Sequence, residues 1–381
     1  MHRAQSALQK FYWRHDKKFQ TIKADIMLNQ TRSFQIAGRS IGPNDPPYCI
    51  AEVGINHNGD LSLAKQMIEV AKESGADAVK FQTFKAEEFC GDPNQTFTYQ
   101  SQGKHVTESM LTMFQRYEFP PETWQVIKAH CDAVGITFFS TPQNNSDLDL
   151  LMEVGVPAVK VGSDDFTNLP LLRDYVKTGL PIILSCGMSD LAEVHQALDA
   201  VGWFGGYPVA LLLCTSQYPT PPQDANIAKL TTLQQAFPGL LVGFSDHTQG
   251  PLAAALSVAR GARIFEKHFT LGHDLPGPDH WFSEEPEGLA EWIATIRSVD
   301  VLLGSPFVRP TSAEQNMRTL ARRSVVALRD IFCGERLDSI NIGLRRPGGG
   351  LAPDLIDKVI GLTTTRNIKK GEKLEFGDMR T

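Results

Sequence analysis

Short apolar runs recur along the chain from residue 48 onwards, and each run ends in small or polar residues before a segment with helical periodicity. The runs are continuously apolar rather than alternating, which indicates strands that are buried on both faces, as in parallel sheets. Eight such runs occur: YCIAEVG (48–54), DAVKFQT (77–83), ITFFSTP (136–142), AVKVGS (158–163), PIILSCG (181–187), VALLLCTS (209–216), LVGFSDH (241–247) and ARIFEKHFT (262–270).

The segments between these runs carry helix start and stop signals. Asp60 is placed to cap LSLAKQMIEVAKESG, which ends at Gly75, and PPETWQVIKAHCDAVG begins with prolines and ends at Gly135. Eight strands that alternate with helices predict an α/β protein with a (β/α)8 TIM barrel over residues 33–303. A doubly wound open sheet is the alternative, but the Gly-rich phosphate turn that usually follows an early strand of that fold is absent from this sequence.

Outside the regular repeat, four segments have a different character. Residues 84–118 are long and weakly periodic, and they predict an extended loop over the mouth of the barrel. Residues 304–321 read as a linker, and residues 322–381 as a small β-rich domain. Residues 1–32 are basic without a continuous apolar core, so we expect a disordered N-terminal extension rather than a secretory signal.

Composition narrows the class of protein. The 381 residues carry 37 basic and 43 acidic side chains, a net charge of −6, which argues against a broad nucleic-acid surface. No apolar run approaches the roughly 20 residues of a membrane span. The six cysteines are scattered without C-x-x-C spacing, which is typical of reduced thiols in a cytoplasmic protein.

Polar side chains end the predicted strands, and the carboxyl ends of barrel strands form the active-site face. Two lysines and several hydroxyls at one mouth favour an anionic substrate, because they bind phosphate and carboxylate oxygens. The strand-end residues are Glu52, Lys80, Gln82, Ser140, Thr141, Lys160, Ser163, Ser185, Thr215, Ser216, Ser245, His247, Glu266 and His268.

The two strand-end histidines, His247 and His268, fall at matching positions of the seventh and eighth predicted strands. A single histidine at such a place is commonly a hydrogen-bonded structural residue. Two of them on adjacent strands can share one divalent ion, and with so few protein ligands the site would be open and catalytic. Glu266 shares a side of its strand with His268, and Glu52 ends the first strand, next to the eighth in a closed barrel, where it can act as a base.

The segments IAEVGINHNGD, AVKFQTF, KVGSDDFTNLPLL, LSCGMS, CTSQYPTPPQDAN, GFSDHT, EKHFTL and PGPDH occur in this order. Together they resemble the sialic acid (N-acetylneuraminate) synthase family, and the tail with its RRPGGG turn resembles that family's C-terminal antifreeze-like (SAF, β-clip) domain. The resemblance covers roughly residues 33–381 and is far more specific than a single short motif.

The resemblance implies a function and a set of site residues. The enzyme would condense phosphoenolpyruvate with an open-chain N-acetylated amino sugar and water, with metal assistance from Mn²⁺ or Mg²⁺ on His247 and His268. Phosphoenolpyruvate positions match Lys80, Gln82, Thr141, Lys160, Ser163, Ser185, Ser216 and Ser245. Further catalytic positions match Glu52 and Glu266, and sugar-binding positions match Asp165, Tyr218, Asp279 and Arg346.

The same resemblance implies a domain-swapped homodimer, in which the antifreeze-like domain of one subunit covers the barrel mouth of the other and Arg346 reaches the partner's sugar site. Two residues depart from the pattern of some members: Asp165 stands in place of a glutamate, and Ser216 in place of an asparagine. Both changes bear on the identity of the sugar rather than on the reaction.

The acceptor stays open at this level. N-acetylmannosamine, which gives N-acetylneuraminate, is the favoured acceptor, and a 2,4-diacetamido-trideoxy hexose, which gives legionaminate or pseudaminate, is the alternative. A metal-dependent aldolase or a synthase that uses a sugar phosphate is more remote, because no additional Arg and Lys cluster marks a second phosphate site at the strand ends. A non-catalytic carbohydrate-binding protein would have no need for the histidines, lysines and Glu52 at one mouth.

Overall fold

The computed structural model describes residues 32–381. Eight parallel strands form one sheet, and nearly all of their residues are buried, as continuous apolar runs require. Several predicted runs extend past the observed carboxyl ends, because the last polar residues leave the sheet to start the loops of the mouth. The strands are Tyr48–Gly54, Ala78–Thr83, Thr137–Pro142, Val159–Val161, Ile182–Ser185, Val209–Cys214, Leu241–Asp246 and Ile264–His268.

The order of these strands closes the sheet almost completely. The first strand pairs with the second and with the eighth, and pairing continues without interruption from the eighth back to the fourth. The third and fourth strands lie side by side without a hydrogen-bonded ladder between them. The predicted (β/α)8 barrel is therefore confirmed, and the open doubly wound sheet is excluded.

Helices follow the strands and shield the barrel. Asp60 caps the first of them through bonds from the N–H groups of Ser62 and Leu63, and Gly135 ends another in a left-handed conformation with φ of 76°, as predicted. The helices that follow the barrel strands are Leu61–Glu73, Pro121–Val134, Asn145–Val154, Leu169–Val176, Leu191–Ala200, Pro222–Ala225, Lys229–Ala236, Leu252–Ala259 and Pro286–Leu303.

The segment between the second and third barrel strands is more regular than its sequence predicts. It contains the helix Ala86–Phe89, an antiparallel hairpin of Thr96–Ser101 with Lys104–Ser109, and the helix Met110–Tyr117. The prediction of an extended loop was wrong, because half of the hairpin residues are exposed and the alternation of Phe97 and Tyr99 with polar residues spans a single short strand, which makes a weak signal.

A second hairpin, Phe34–Ile36 with Arg39–Ile41, precedes the barrel and buries Ile36 and Ile41 against its core. Its turn at Ala37 and Gly38 has positive φ at both residues, as a two-residue hairpin turn requires. The predicted N-terminal extension, residues 1–32, lies outside the described residues except for Arg32. No helix between residues 32 and 381 has the length and apolar character to cross a membrane.

The chain divides into two compact units, the second of which spans Ser305–Thr381. This unit begins with the helix Ser312–Ala321 and then forms small antiparallel pairs around a core that includes Val325, Leu337 and Leu374. Its remaining elements are the strands Ser324–Ala327, Ile342–Arg345, Thr363–Thr364 and Met379–Arg380 and the short helix Ile356–Val359.

Candidate active site

The carboxyl ends of the barrel strands enclose a cavity of about 290 Å³. The parallel arrangement brings together side chains that are up to 216 positions apart in sequence, as the strand-end pattern predicts. The predicted site residues that line this cavity are Glu52, Lys80, Gln82, Thr141, Lys160, Ser163, Ser185, Ser216, Tyr218, Ser245, His247, Glu266 and His268.

Lys80 and Glu52 form the centre of one wall. The Lys80 Nζ lies 2.7 Å from Glu52 Oε2 and donates to Thr141 Oγ1 at 2.8 Å, and all three side chains are buried. Burial raises the pKa of Glu52 to about 8, although the charge of Lys80 opposes this shift. Burial alone would lower the pKa of Lys80, but the charges of Glu266 and Glu52 outweigh it and the pKa is raised.

Lys160 faces the same space from the fourth strand. Its Nζ donates to Ser185 Oγ at 2.8 Å and lies 3.6 Å from Glu266 Oε1, which also accepts from Ser245 Oγ at 3.1 Å. Burial lowers the pKa of Lys160. For Glu266, burial favours the neutral acid, but the charges of Lys160 and Lys80 outweigh it and lower the pKa. Two buried cations are thus held close together by one ionised carboxylate.

A glycine makes room for the hydroxyl groups of the site. A Cβ on Gly187 would lie 2.4 Å from Ser216 Oγ and 2.6 Å from Ser163 Oγ, both closer than real Cβ contacts allow. The N–H of Gly187 donates to Ser163 Oγ at 3.0 Å and fixes that hydroxyl. Only glycine at this position lets both serines reach the cavity, which gives a concave, hydroxyl-rich surface suited to phosphate or carboxylate oxygens.

The two histidines lie side by side, with ring centroids 5.5 Å apart. His247 Nδ1 is 2.8 Å from the carbonyl oxygen of Thr215, an arrangement in which the ring donates through Nδ1 and keeps Nε2 available as a ligand. Burial holds the pKa of His268 well below its usual range, with the positive charges around it adding to the effect, so this ring is neutral. Tyr218 packs over His247 at 4.2 Å between centroids.

Several buried polar atoms in this cavity have no hydrogen-bond partner among the described residues. They include Glu52 Oε1, Glu266 Oε2, Ser216 Oγ, Gln143 Oε1 and His268 Nδ1. Unpaired buried polar atoms are costly, and proteins satisfy most of them. Their concentration in one cavity indicates a site built for a polar ligand.

The four sugar-binding residues implied by the resemblance do not all line the same cavity. Tyr218 lines the cavity, and Asp279 lines a second, adjoining cavity, where burial raises its pKa to about 6. Asp165 lines neither, because its carboxylate accepts from Asn168 Nδ2 at 3.0 Å in the turn before a helix, and the neighbouring Asp164 lines both. Arg346 is exposed in the second unit, directly after the strand Ile342–Arg345.

Sequence reasoning missed residues that line the two cavities. Gln143 follows the third strand by one position, so the strand-end pattern extended by one residue would have found it. The second cavity, of about 590 Å³, shares Gln82, Tyr218 and His268 with the first. It has an aromatic wall, which we define as Phe84, Phe89, Phe97, Tyr99, Phe114, Trp281 and Phe282.

Two family models match this chain. The model described as the NeuB family matches residues 67–307, and the SAF domain model matches residues 322–378. The first match contains most of the barrel, and the second lies within the unit that begins at Ser305.

Individual relatives agree with these models. The chain is 39% identical over 331 residues to an N,N'-diacetyllegionaminic acid synthase of Legionella pneumophila, covering 86% of this chain and 93% of the relative. It is 34% identical over 325 residues to the human N-acetylneuraminate-9-phosphate synthase, covering 84% and 90%. Among solved structures, an N-acetylneuraminic acid synthetase from Leptospira borgpetersenii aligns with a TM-score of 0.69 at 32% identity, covering 76% of this chain and 96% of that one.

These matches span both units and include relatives well above 30% identity over most of their length. They agree with the order of the strand-end motifs along the sequence and with the barrel observed in the structure. The resemblance inferred from the sequence is therefore confirmed, and the chain belongs to the NeuB family of acid synthases, with a C-terminal SAF domain.

Proposed function

We propose that this protein condenses phosphoenolpyruvate with the aldehyde of an open-chain 2-acetamido sugar and releases phosphate. The observation that carries the proposal is the convergence of two buried lysines and two imidazoles on one cavity of about 290 Å³. Lysines and hydroxyls suit the two anionic groups of phosphoenolpyruvate. The similarity to an N,N'-diacetyllegionaminic acid synthase and an N-acetylneuraminate-9-phosphate synthase supports the same reaction class.

The residues present fit a divalent cation, Mn²⁺ or Mg²⁺, at His247 and His268. His247 donates through Nδ1 to the Thr215 carbonyl oxygen and keeps Nε2 available as a ligand. The lowered pKa of His268 keeps that ring neutral, and its Nδ1 has no partner among the described residues. Across residues 32–381 no cluster of three or more His, Cys, Asp or Glu forms a closed metal site, so two histidines would leave positions open for water and substrate. When bound, the ion would act as a Lewis acid toward the acceptor aldehyde.

The other cavity residues have separate roles in substrate binding and proton transfer. Lys80, Lys160 and the serine hydroxyls hold the phosphate and carboxylate, so that C3 of phosphoenolpyruvate is oriented toward C1 of the sugar. The new C3–C1 bond leaves positive character at C2, water adds to C2, and cleavage of the C2–O bond releases inorganic phosphate. Glu52, with a pKa of about 8, exchanges a proton near neutral pH and is the group that we assign to proton transfer with this water.

The aromatic wall favours a 2,4-diacetamido-trideoxy hexose over the N-acetylmannosamine that the sequence alone favours. A second acetamido group and a deoxygenated carbon add methyl groups, and the wall offers apolar surface for them beside Tyr218 and His268. The higher identity to the Legionella relative than to the human one points the same way.

We expect kcat/KM for the diacetamido sugar to exceed that for N-acetylmannosamine by about tenfold or more, the usual effect of an added apolar group in a matching pocket. Steady-state kinetics with both acceptors at saturating phosphoenolpyruvate and Mn²⁺ measures the ratio. Phe97→Ala removes one ring of the aromatic wall, and we expect it to lower the ratio of kcat/KM for the diacetamido sugar to kcat/KM for N-acetylmannosamine. Preference for N-acetylmannosamine in the wild-type protein would reject the diacetamido acceptor and leave the condensation itself standing.

The proposal includes a homodimer in which Arg346 of one subunit serves the sugar site of its partner. Arg346 is exposed, and the three glycines after Pro347 have positive φ of 78°, 110° and 102°, so the turn presents the guanidinium on an unusual backbone that other residues would strain. A guanidinium is well suited to hydroxyl and carbonyl oxygens of a sugar.

Arg346→Ala is expected to raise KM for the sugar by about tenfold or more while KM for phosphoenolpyruvate stays nearly constant, a loss typical of one charged hydrogen bond. The exposed Arg345→Ala is the matched control, because Arg345 is the preceding residue. Sedimentation of the full chain checks the dimer. A sugar KM that is equal in wild type and Arg346→Ala would remove this residue from the site.

A further inference from the structure

An ionic network lies behind the two histidines, on the outer face of the barrel. Along the seventh and eighth strands, His247 and His268 line the cavity, whereas Asp246 and Lys267 alternate with them and point outward. The two outward residues are register partners on adjacent strands, and their side chains are only 0% and 3% exposed. Neither residue lines the cavity, so neither contacts the substrates of the reaction proposed above.

Lys267 joins three segments of chain. Its Nζ lies 3.3 Å from Asp246 Oδ2 and 3.5 Å from Glu284 Oε1, and it donates to the carbonyl oxygen of Thr248. Thr248 directly follows His247, and Lys267 directly precedes His268. A single ammonium group therefore connects the backbone beside one histidine to the backbone beside the other.

Asp246 and Glu284 complete the network. Asp246 Oδ1 accepts from the N–H and hydroxyl of Thr248 at 2.8 and 2.7 Å, and Asp246 Oδ2 accepts from Trp292 Nε1 at 2.9 Å, which ties the strand to the helix Pro286–Leu303. Glu284 Oε1 accepts from the N–H of Gly250 at 2.9 Å, and the Glu284 N–H donates to the carbonyl oxygen of His268 at 2.9 Å.

Such a cluster is a costly way to pack a barrel against a helix. Buried ion pairs lose much of their attraction to desolvation, and apolar residues of similar volume often stabilise a fold at least as well. Directional hydrogen bonds fix the relative position of the segments that they join, whereas apolar contacts allow those segments to shift. Groups that orient metal-binding histidines from behind affect metal affinity strongly.

We propose that Lys267 and Asp246 are positioning residues that set the separation and orientation of His247 and His268. The inference rests on the proposed function, in which these two histidines hold a divalent cation. The network acts through the backbone on either side of each histidine rather than through contact with the ring.

The test measures Mn²⁺ binding to the metal-free full-length protein by electron paramagnetic resonance of the unbound ion. Lys267→Met removes the charge at similar length, and Asp246→Asn removes the opposing charge while it keeps the amide acceptor for Thr248. Each should raise the Kd for Mn²⁺ by about tenfold to 100-fold, and KM for phosphoenolpyruvate should change by less than about threefold because the lysine side of the cavity is untouched.

Arg263→Met is the matched control. Arg263 precedes the same eighth strand at its other end and pairs with Asp300 of the same helix, far along the strand from the histidines. We expect it to lower the melting temperature without changing the Kd for Mn²⁺. If Lys267→Met does not fold, Asp246→Asn carries the test.

Two results would overturn the inference. One is a Kd for Mn²⁺ in Lys267→Met and Asp246→Asn equal to that of wild type. The other is a rise in the Kd for Mn²⁺ in these two variants that is no larger than the rise in Arg263→Met, when the variants compared have the same melting temperature. His268→Ala, measured alongside, separates this failure from that of the proposed function: if wild-type Mn²⁺ binding persists in His268→Ala, the assignment of the metal to the histidine pair fails, and the positioning role fails with it.

Discussion

His268→Ala is expected to lower kcat by about 10³-fold or more, since a Lewis-acid ion contributes several kcal/mol of transition-state stabilisation and each 1.36 kcal/mol is a tenfold change in rate. The substitution removes one of two imidazoles whose centroids are 5.5 Å apart, and His247 alone cannot retain the ion tightly. The measurement is phosphate release at saturating substrates over a range of Mn²⁺ concentrations.

His195→Ala is the control for this substitution, because His195 is an exposed histidine on the helix Leu191–Ala200, away from the cavity. It should retain wild-type activity. Near-normal turnover in a folded His268→Ala protein would contradict the assignment of the metal to the histidine pair. The proposed role of the two lysines in binding phosphoenolpyruvate would be unaffected.

Lys160→Met is expected to lower kcat/KM for phosphoenolpyruvate by about 10²- to 10³-fold, the usual loss when one preorganised charge at a reacting oxygen is removed. Methionine keeps most of the side-chain volume, so the 2% exposed position stays filled. Because Lys160 neutralises Glu266 at 3.6 Å, its loss also leaves that carboxylate to repel the incoming anion.

Lys128→Met supplies the comparison for this second substitution. Lys128 lies on the outer helix Pro121–Val134 and pairs with Asp132 at 2.6 Å, an i,i+4 surface pair of little energetic weight. Its kinetics should match those of wild type. A kcat/KM for Lys160→Met within about threefold of wild type would be too small for an oxyanion-binding charge and would exclude Lys160 from that role.

The barrel was predictable because each of its strands corresponds to a continuous apolar run in the sequence. VALLLC and LVGFSD are uniformly apolar up to a polar end, and both form buried parallel strands. The parallel topology then forces the polar ends together, which is why Lys80, Lys160 and the two histidines could be gathered at one mouth from sequence alone.

Features with a weak local signal, or with partners far apart in sequence, were not predictable. The hairpin Thr96–Ser101 with Lys104–Ser109 pairs neighbouring segments, but half of its strand residues are exposed and an alternating apolar pattern appears in only one of the two strands. Which of Asp164 and Asp165 lines the cavities depends on a turn in which Asn168 donates to Asp165. The network around Lys267 depends on Trp292 and Glu284, which come close to it only in the folded chain.

The proposed condensation is tested most directly by phosphate release from phosphoenolpyruvate in the presence of the purified full-length protein. The reaction is run with Mn²⁺, with and without EDTA, and with N-acetylmannosamine, a 2,4-diacetamido-trideoxy hexose or a sugar phosphate as acceptor. We expect phosphate release with an acetamido sugar, and we expect EDTA to abolish this release and Mn²⁺ to restore it. Release that requires the sugar phosphate, or that continues unchanged in EDTA, would contradict this expectation.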